Sequence, residues 1–249
     1  MVTNYHARIT KALNILNNAK YCVFFTGAGM STPSGIPDFR SPGSGLWEKY
    51  DPFAVASLSA FHDHPQQFFN WIKPLYVQSK NAKPNAAHYT LVELEKQNMI
   101  HCIITQNIDG LHQKAGSKRV IELHGSVRTA TCQHCGQEYD GEELLDLYIS
   151  EDTLPSCKKC KQIIKPDVIL YEELLPEKSW RDAESEMRKA EAVFVAGSSL
   201  ETYPANTLPR IAVAHGAALV ILTLSATPLD DLADVVIHAD IAKTIPALL

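Results

Sequence analysis

A parallel α/β sheet, wound with helices on both sides, is the fold this sequence predicts, and three observations carry that expectation. Residues Tyr21 to Phe25 form an unbroken apolar run that ends in Thr26-Gly27-Ala28-Gly29, the mark of a strand buried on both faces and stopped by a tight turn. Further short apolar runs alternate with stretches of helical periodicity through most of the 249 residues, as crossover-connected parallel strands require. Two close cysteine pairs, Cys132-x-x-Cys135 and Cys157-x-x-Cys160, interrupt that alternation and mark a small metal-stapled module.

Composition sets the class. Hydrophobic residues at 45% and charged residues at 20% suit an ordinary globular protein with a sizeable core. A formal net charge of −5 gives no general attraction to nucleic acid or to an anionic membrane, so neither is expected as a partner. Lys158, Lys159, Lys161 and Lys165 read as a solvated face. No run approaches the ~20 apolar residues of a membrane span, and Met1 to Arg8 lacks the apolar core of a signal peptide. The expectation is a cytoplasmic protein, in keeping with six cysteines placed as metal ligands and buried residues rather than as a disulfide framework.

In chain order, Thr3 to Ala19 has the spacing of an amphipathic helix leading into the first strand. The glycine turn after that strand lets backbone N–H groups approach an anionic phosphate, because glycine has no Cβ. It matches neither a full G-x-G-x-x-G fingerprint nor a P-loop, so an ordinary strand-to-helix turn stays open as its alternative. Pro33, Gly35 and Pro37 forbid a long helix and place Asp38, Phe39 and Arg40 on a constrained loop, followed by loop over Ser41 to Gly45. Leu46 to Lys80 is an aromatic-rich helical stretch, read as packing of a small module more than as a ligand wall.

A helix is expected over Asn85 to Gln97 and a strand over Ile100 to Thr105. That strand ends in Gln106-Asn107-Ile108-Asp109, polar groups at the carboxyl end where open α/β sheets bind ligands. A third strand, Val120 to Leu123, ends at His124, which reads as a proton-transfer group or, alternatively, as a hydrogen-bonded structural histidine. The paired cysteines, 21 residues apart, bring four thiolates into the tetrahedron of a structural zinc site with no open position for water. Cys22 and Cys102 read as buried apolar residues. Further strands are expected near Asp167 to Tyr171, over Ala192 to Ala196 and over Ala218 to Leu224, with helices over Pro176 to Lys189 and Thr207 to His215. Gly197-Ser198-Ser199 is a second small-residue turn suited to phosphate or ribose.

Taken together, GAGMSTPSGIPDFR, TQNIDGLH, ELHG, the paired CxxC motifs and GSSLETYP resemble the sirtuins, the NAD-dependent protein deacylases, in order and over nearly the whole chain. The resemblance implies a Rossmann-like domain (1–42, 82–126 and 166–249), a helical insertion (43–81) and a zinc-binding small domain (127–165). It implies a monomer that acts on acyl-lysine proteins with NAD as co-substrate, releasing nicotinamide, deacetylated lysine and O-acetyl-ADP-ribose. By resemblance His124 is the base that helps a ribose hydroxyl attack, and Asn107 and Gln106 lie beside the ribose. Ile108 and Asp109 match the nicotinamide pocket. Phe39 would shield the reacting carbon, with Asp38 and Arg40 near the cofactor. Ala28, Gly29, Thr32, Ser198, Ser199, Thr223 and Ile241 match other NAD contacts, and Ile169, Tyr171 and Thr202 fall where the family meets the substrate peptide.

The chain departs from that pattern in places. Sirtuins commonly read Phe-Gly-Glu where this chain reads Tyr171-Glu172-Glu173, which puts a charged residue for a glycine beside the peptide. Thr223 replaces a common Asn, and Ser225-Ala226 a Gly-Glu; one or two lost hydrogen bonds would weaken NAD binding about ten-fold. Phe68 to Lys73 carries no Tyr/Arg pair, so an uncharged acyl group is expected. Mono-ADP-ribosyl transfer and a non-catalytic NAD-responsive module are the alternatives.

Overall fold

The structure, a computed structural model, describes residues 2–41, 43 and 45–249; Met1, and Pro42 and Ser44 within the loop expected over 41–45, lie outside the described residues. In chain order the helices are α1 (Val2–Asn18), α2 (Pro52–Val55), α3 (Leu58–Asp63), α4 (Pro65–Asn81), α5 (Ala86–Lys96), α6 (Leu111–Ala115), α7 (Gly141–Glu151), α8 (Glu177–Lys189), α9 (Thr207–Ala214) and α10 (Ile241–Thr244). The strands are β1 (Cys22–Thr26), β2 (Cys102–Thr105), β3 (Val120–Glu122), β4 (Gly125–Cys132), β5 (Glu138–Asp140), β6 (Ile164–Val168), β7 (Ala192–Ala196), β8 (Ala218–Thr223) and β9 (Val235–His238). The chain divides into two compact units, one of Met1–Gly35, Lys83–Leu123 and Glu177–Leu249, the other of Ile36–Ala82 and His124–Pro176.

The first unit is a six-stranded parallel sheet in the order β3-β2-β1-β7-β8-β9. Counted along the chain within this sheet, that is 3-2-1-4-5-6, the doubly wound order whose direction of winding reverses between β1 and β7. Every residue of β1 is buried, as its lack of alternation requires. Phe24 and Phe194 are register partners whose rings stack at 4.9 Å, and they share one face of the sheet with Leu16 of α1, Leu91 of α5 and Ile245. On the other face, Phe25 and Val195 share a core with Met187 of α8 and Leu208 of α9. Each such side chain contributes roughly 1.5–3 kcal/mol of burial, so the strand ends that carry polar residues are held on a stiff base. Cys22 and Cys102 are buried on opposite faces, and burial pushes the Cys102 thiol up to about 12; Cys22 packs as an apolar residue, while Cys102 Sγ also donates to Glu186 Oε2 at 3.6 Å.

The second unit holds a three-stranded antiparallel sheet, β5-β4-β6, together with α2, α3, α4 and α7. Phe61, Phe68 and Phe69 form a ring cluster that Tyr148 of α7 completes, 5.0 Å from Phe69. Gln66 and Asn70 on α4 bond the Tyr148 hydroxyl at 2.8 Å each. The aromatics of the helical stretch are therefore mostly core, with Phe53 (57% exposed) and Tyr50 (43%) outside it.

Three expectations are corrected here. The strand expected near 167–171 is β6, over Ile164–Val168, and it pairs antiparallel with β4 instead of joining the parallel sheet. The cysteine module contains an unanticipated helix, α7, started by Asp140, whose carboxylate accepts from the Glu143 N–H at 2.9 Å. Lys165 is not on a solvated face: its side chain is 3% exposed and ion-paired with Glu173 at 2.9 Å, because its ammonium also donates to the carbonyl of Val168 at 2.7 Å. Lys158, Lys159 and Lys161 are exposed as expected.

Candidate active site and metal centre

In the first unit, polar groups gather at the carboxyl ends of β1, β2 and β7, beside the winding reversal where such sheets bind ligands. Two turns meet there backbone to backbone. Gly29 N–H donates to the Gly197 carbonyl at 2.8 Å and Gly27 N–H to that of Ala196 at 3.1 Å. A Cβ on Gly197, whose φ is +64, would lie 2.3 Å from the Met30 nitrogen, and one on Gly27 2.9 Å from the Gly197 oxygen. Close approach of the two turns to each other thus demands these glycines even before any phosphate is considered. Ala28–Met30 and Thr32–Ser34 are single 3₁₀ turns, and the Thr32 hydroxyl donates to the Gly29 carbonyl at 3.1 Å.

Ser31 is the centre of a hydrogen-bonded web that the sequence reading passed over. Its hydroxyl donates to Asp109 Oδ2 at 2.6 Å and accepts from Asn107 Nδ2 at 3.1 Å. Asn107 Nδ2 also donates to the Gly27 carbonyl at 3.0 Å, and the Leu111 N–H donates to Asp109 Oδ1 at 2.8 Å. Burial raises the Asp109 carboxyl, while Ser31 and the Leu111 N–H oppose that rise. Asn85, the capping residue of α5, donates to the Met30 carbonyl at 2.9 Å and to the Ser34 hydroxyl at 3.0 Å, and so fixes the turn from outside. Its position before a helical stretch was the legible signal for it. Gln106 Nε2 donates to the Ser198 hydroxyl at 2.8 Å, tying the β2 and β7 ends together.

The remaining expected residues of this unit lie close by in the fold or at its margin. Ala28, Ile108, Ser199 and Thr202 are half-buried. Thr223 ends β8, and its carbonyl faces His238 Nδ1 at 3.3 Å. Ile241 is 4% exposed and its side chain belongs to the core, with its carbonyl accepting from the Ile245 N–H at 3.0 Å.

In the second unit, both Asp38 carboxylate oxygens are engaged by the loop itself: Oδ1 accepts from the Arg40 and Ser41 N–H groups at 3.0 and 2.7 Å, and Oδ2 from the Ser41 hydroxyl at 2.6 Å. Asp38 therefore shapes the loop that carries Phe39 and Arg40. Phe39 stacks on Trp47 at 5.0 Å, and Arg40 is exposed. His124 is half-buried at the mouth of β4, its carbonyl accepting from the Ile169 N–H at 2.9 Å. Gly125, with φ +71, follows it where a Cβ would lie 1.9 Å from the Asp167 oxygen, so His124 sits on a turn that only glycine can close. Tyr171 packs edge-on against Trp47 at 6.1 Å and against Phe53 at 4.9 Å.

The four cysteines converge, with all sulfurs within 4.8 Å of one another. Cys132 and Cys160 sulfurs are 3.4 Å apart and those of Cys135 and Cys157 3.6 Å, close to the ~3.8 Å edge of a tetrahedral zinc–thiolate site. The two knuckles repeat one geometry: Gly136 N–H donates to the Cys132 carbonyl and Lys161 N–H to that of Cys157, each at 2.9 Å with left-handed backbone. The Tyr139 hydroxyl donates to Cys157 Sγ at 3.2 Å and, with nearby N–H groups, holds that thiol down at about 5. A soft, preassembled, thiolate-favouring donor set fits zinc.

The Sir2 family model matches residues 27–204. An NAD-dependent protein deacetylase of Thermotoga maritima is 42% identical over 95% of each chain, and one of Saccharolobus solfataricus 45% identical over 96% of this chain and 95% of its own. Among solved structures, a Sir2 enzyme with a deacetylated p53 peptide and 3′-O-acetyl-ADP-ribose superposes with a TM-score of 0.91 at 40% identity, covering 96% of each chain. Another, with a p53 peptide and NAD, gives 0.88 at 40% identity over 95% of each. With a family model over residues 27–204 and relatives above 40% identity along nearly the whole length of both chains, the chain belongs to the Sir2 family.

Proposed function

We propose that this protein is an NAD-dependent protein-lysine deacetylase, and the Ser31–Asn107–Asp109 web at the winding reversal is the observation that carries the reading. NAD supplies a glycosidic bond to nicotinamide whose breakage leaves an electrophilic ribose carbon for the acyl oxygen. Asp109 would accept from the nicotinamide carboxamide, and Ile108 would pack against that ring. Asn107 and Gln106 orient the ribose. Ala28, Gly29 and Thr32, with Ser198 and Ser199, would contact the rest of the cofactor; the N–H groups of Gly29, Met30 and Ser31 are themselves engaged by carbonyls of the two turns. Thr223 and Ile241 serve the adenosine end. On the second unit's residues, Phe39 excludes water, Arg40 carries positive charge for the phosphates, and a His124 ring nitrogen takes the proton from a ribose hydroxyl. Ile169, Tyr171 and Thr202 contact the acyl-lysine peptide.

The zinc held by Cys132, Cys135, Cys157 and Cys160 supplies fold closure and no open coordination position. We assign 43–81 to the helical insertion, 127–165 to the zinc module and the rest to NAD binding. Six cysteines with no disulfide between them suit a reducing compartment, the cytoplasm, and we take the protein to act as a monomer.

The test is nicotinamide release with and without acetyl-lysine peptide. Release that depends on the peptide, with acetyl-ADP-ribose detected by mass in the parent and its formation lost in His124→Ala, is the expected result. Peptide-independent release with ADP-ribose ending on protein would replace this reading by ADP-ribosyl transfer.

A further inference from the structure

After β6 the chain turns over Leu170 to Glu173, with the Glu173 N–H donating to the Leu170 carbonyl at 3.2 Å. The third residue of this turn, Glu172, has φ +74, the left-handed setting that a type II turn demands there and that glycine supplies without strain. A non-glycine residue persists in such a setting when its surroundings over-determine it. Here they do: Glu172 Oε2 accepts from the Ser59 N–H at 2.9 Å and from the Ser59 hydroxyl at 2.7 Å. The Ser59 amide is one of the first-turn donors that α3 cannot satisfy internally. On the same stretch, Tyr171 N–H donates to the Ala56 carbonyl at 2.9 Å and Leu58 N–H to the Tyr171 carbonyl at 3.0 Å. Glu173 holds the other side, accepting from the Leu170 N–H at 2.8 Å and pairing with buried Lys165.

We propose that Glu172 is a positioning residue for the deacylation substrate: by pinning its own strained turn to Ser59, it holds Tyr171 in a single setting before the acyl-lysine peptide arrives. The inference rests on the assignment of Tyr171 to the peptide site. It turns the charged replacement in the Tyr-Glu-Glu motif from an obstacle into a brace. A turn fixed in advance loses less freedom on binding than a glycine turn, so the brace acts on peptide affinity and leaves the bond-breaking groups alone.

The experiment compares Glu172→Gly, which relieves the backbone but removes the carboxylate, with Glu172→Gln, which keeps an acceptor oxygen, in the full zinc-loaded chain. In Glu172→Gly the KM for acetyl-peptide rises about five-fold, with kcat within about two-fold and the KM for NAD unchanged; Glu172→Gln recovers most of the loss. Hydrogen exchange at the Tyr171 and Leu58 amides quickens in Glu172→Gly and not in Glu172→Gln. Unchanged peptide KM in an active, folded Glu172→Gly protein overturns the proposal, as does an equal fall in kcat. Should Glu172→Gly not fold, Ser59→Ala, which removes one of the two donors, gives the same readouts. A wild-type protein that shows no peptide-dependent nicotinamide release refutes the functional reading instead, and unchanged exchange at Tyr171 and Leu58 would then refute the brace by itself.

Discussion

Ser31 gives its hydroxyl proton to Asp109 across 2.6 Å, joining the turn after β1 to the turn after β2 by one short bond. Burial raises the Asp109 carboxyl, so the folded protein holds a carboxylate it would sooner protonate. A raised acid destabilises progressively as pH climbs from its unfolded value through its folded one. Asp109→Asn removes that burden while its oxygen still accepts from Leu111. We expect the variant to melt a few degrees higher at pH 7.5, yet to lose about 100-fold in kcat/KM, because an amide presents one acceptor where the carboxylate presents two. Calorimetry beside a nicotinamide-release assay decides it; a lower melting temperature would contradict the burial argument.

The glycine contacts separate two kinds of glycine by experiment. Gly197→Ala places a methyl 2.3 Å from the Met30 nitrogen, which only backbone movement relieves, so a loss of at least ~2 kcal/mol and of NAD binding is expected. Gly35, at φ +88 with open space around it, costs only about 1 kcal/mol as alanine. Urea unfolding of both variants tests the contrast, and equal losses would show that the two turns do not need their close approach.

Legibility in the sequence followed the physics of each element. The β1 run and its glycine turn declared themselves, since a strand buried on both faces is almost continuously apolar, its one hydroxyl, Thr26, meeting His112 Nε2 at 3.0 Å. The paired cysteines did likewise, because thiolates at that spacing have few other uses. Lys165 was misread because a lysine among lysines looks solvated; its burial depends on Glu173 and on carbonyls that only the turn of the chain brings near. The helix α7 was missed although Asp140 and Glu143 spell a start signal, since the cysteines on either side drew the reading toward a ribbon. Ser31 acts through tertiary hydrogen bonds, which no local pattern encodes, whereas Asn85 showed its capping place before a helical stretch but not its bond to the Met30 carbonyl.

Acid should weaken the protein through two imidazoles. His88 is buried and held down at about 4, and His112 is held well below its ordinary value; burial is the main cause for both. A histidine depressed in the folded state gives stability that is complete above the unfolded value near 6.5 and is lost as pH falls toward the folded value. For His88 that window runs from about 6.5 to about 4, and the loss amounts to about 3 kcal/mol. His88→Gln keeps an acceptor for the Asn85 N–H, which His88 Nδ1 now meets at 3.3 Å, and removes the titration. Its stability at pH 7 should change little and its decline between pH 6.5 and 4.5 should be visibly shallower than in the parent. Parallel declines in the two proteins would show that His88 does not carry the effect.

Tyr139 should govern how tightly the cysteine tetrad keeps its metal. Its hydroxyl donates to Cys157 Sγ at 3.2 Å and is itself oriented by the Lys158 N–H at 3.0 Å. A hydrogen bond of this kind stabilises the thiolate form that binds zinc, and outer groups of this type are commonly worth 10- to 100-fold in affinity. Tyr139→Phe keeps the ring, which packs against the small core of Ala130, Cys132, Cys157 and Ile164, and removes only the donor. Zinc transfer to a colorimetric chelator should therefore be about ten-fold faster in the variant, with the α4 and α7 packing still folded while metal remains bound. Stripping the metal altogether should loosen the module as far as α7, because the sulfurs lie in the same small core as Ala130 and Ile164. Equal release rates in the parent and Tyr139→Phe would mean that the backbone N–H groups of the knuckles, and not this hydroxyl, hold the sulfurs in their charged state.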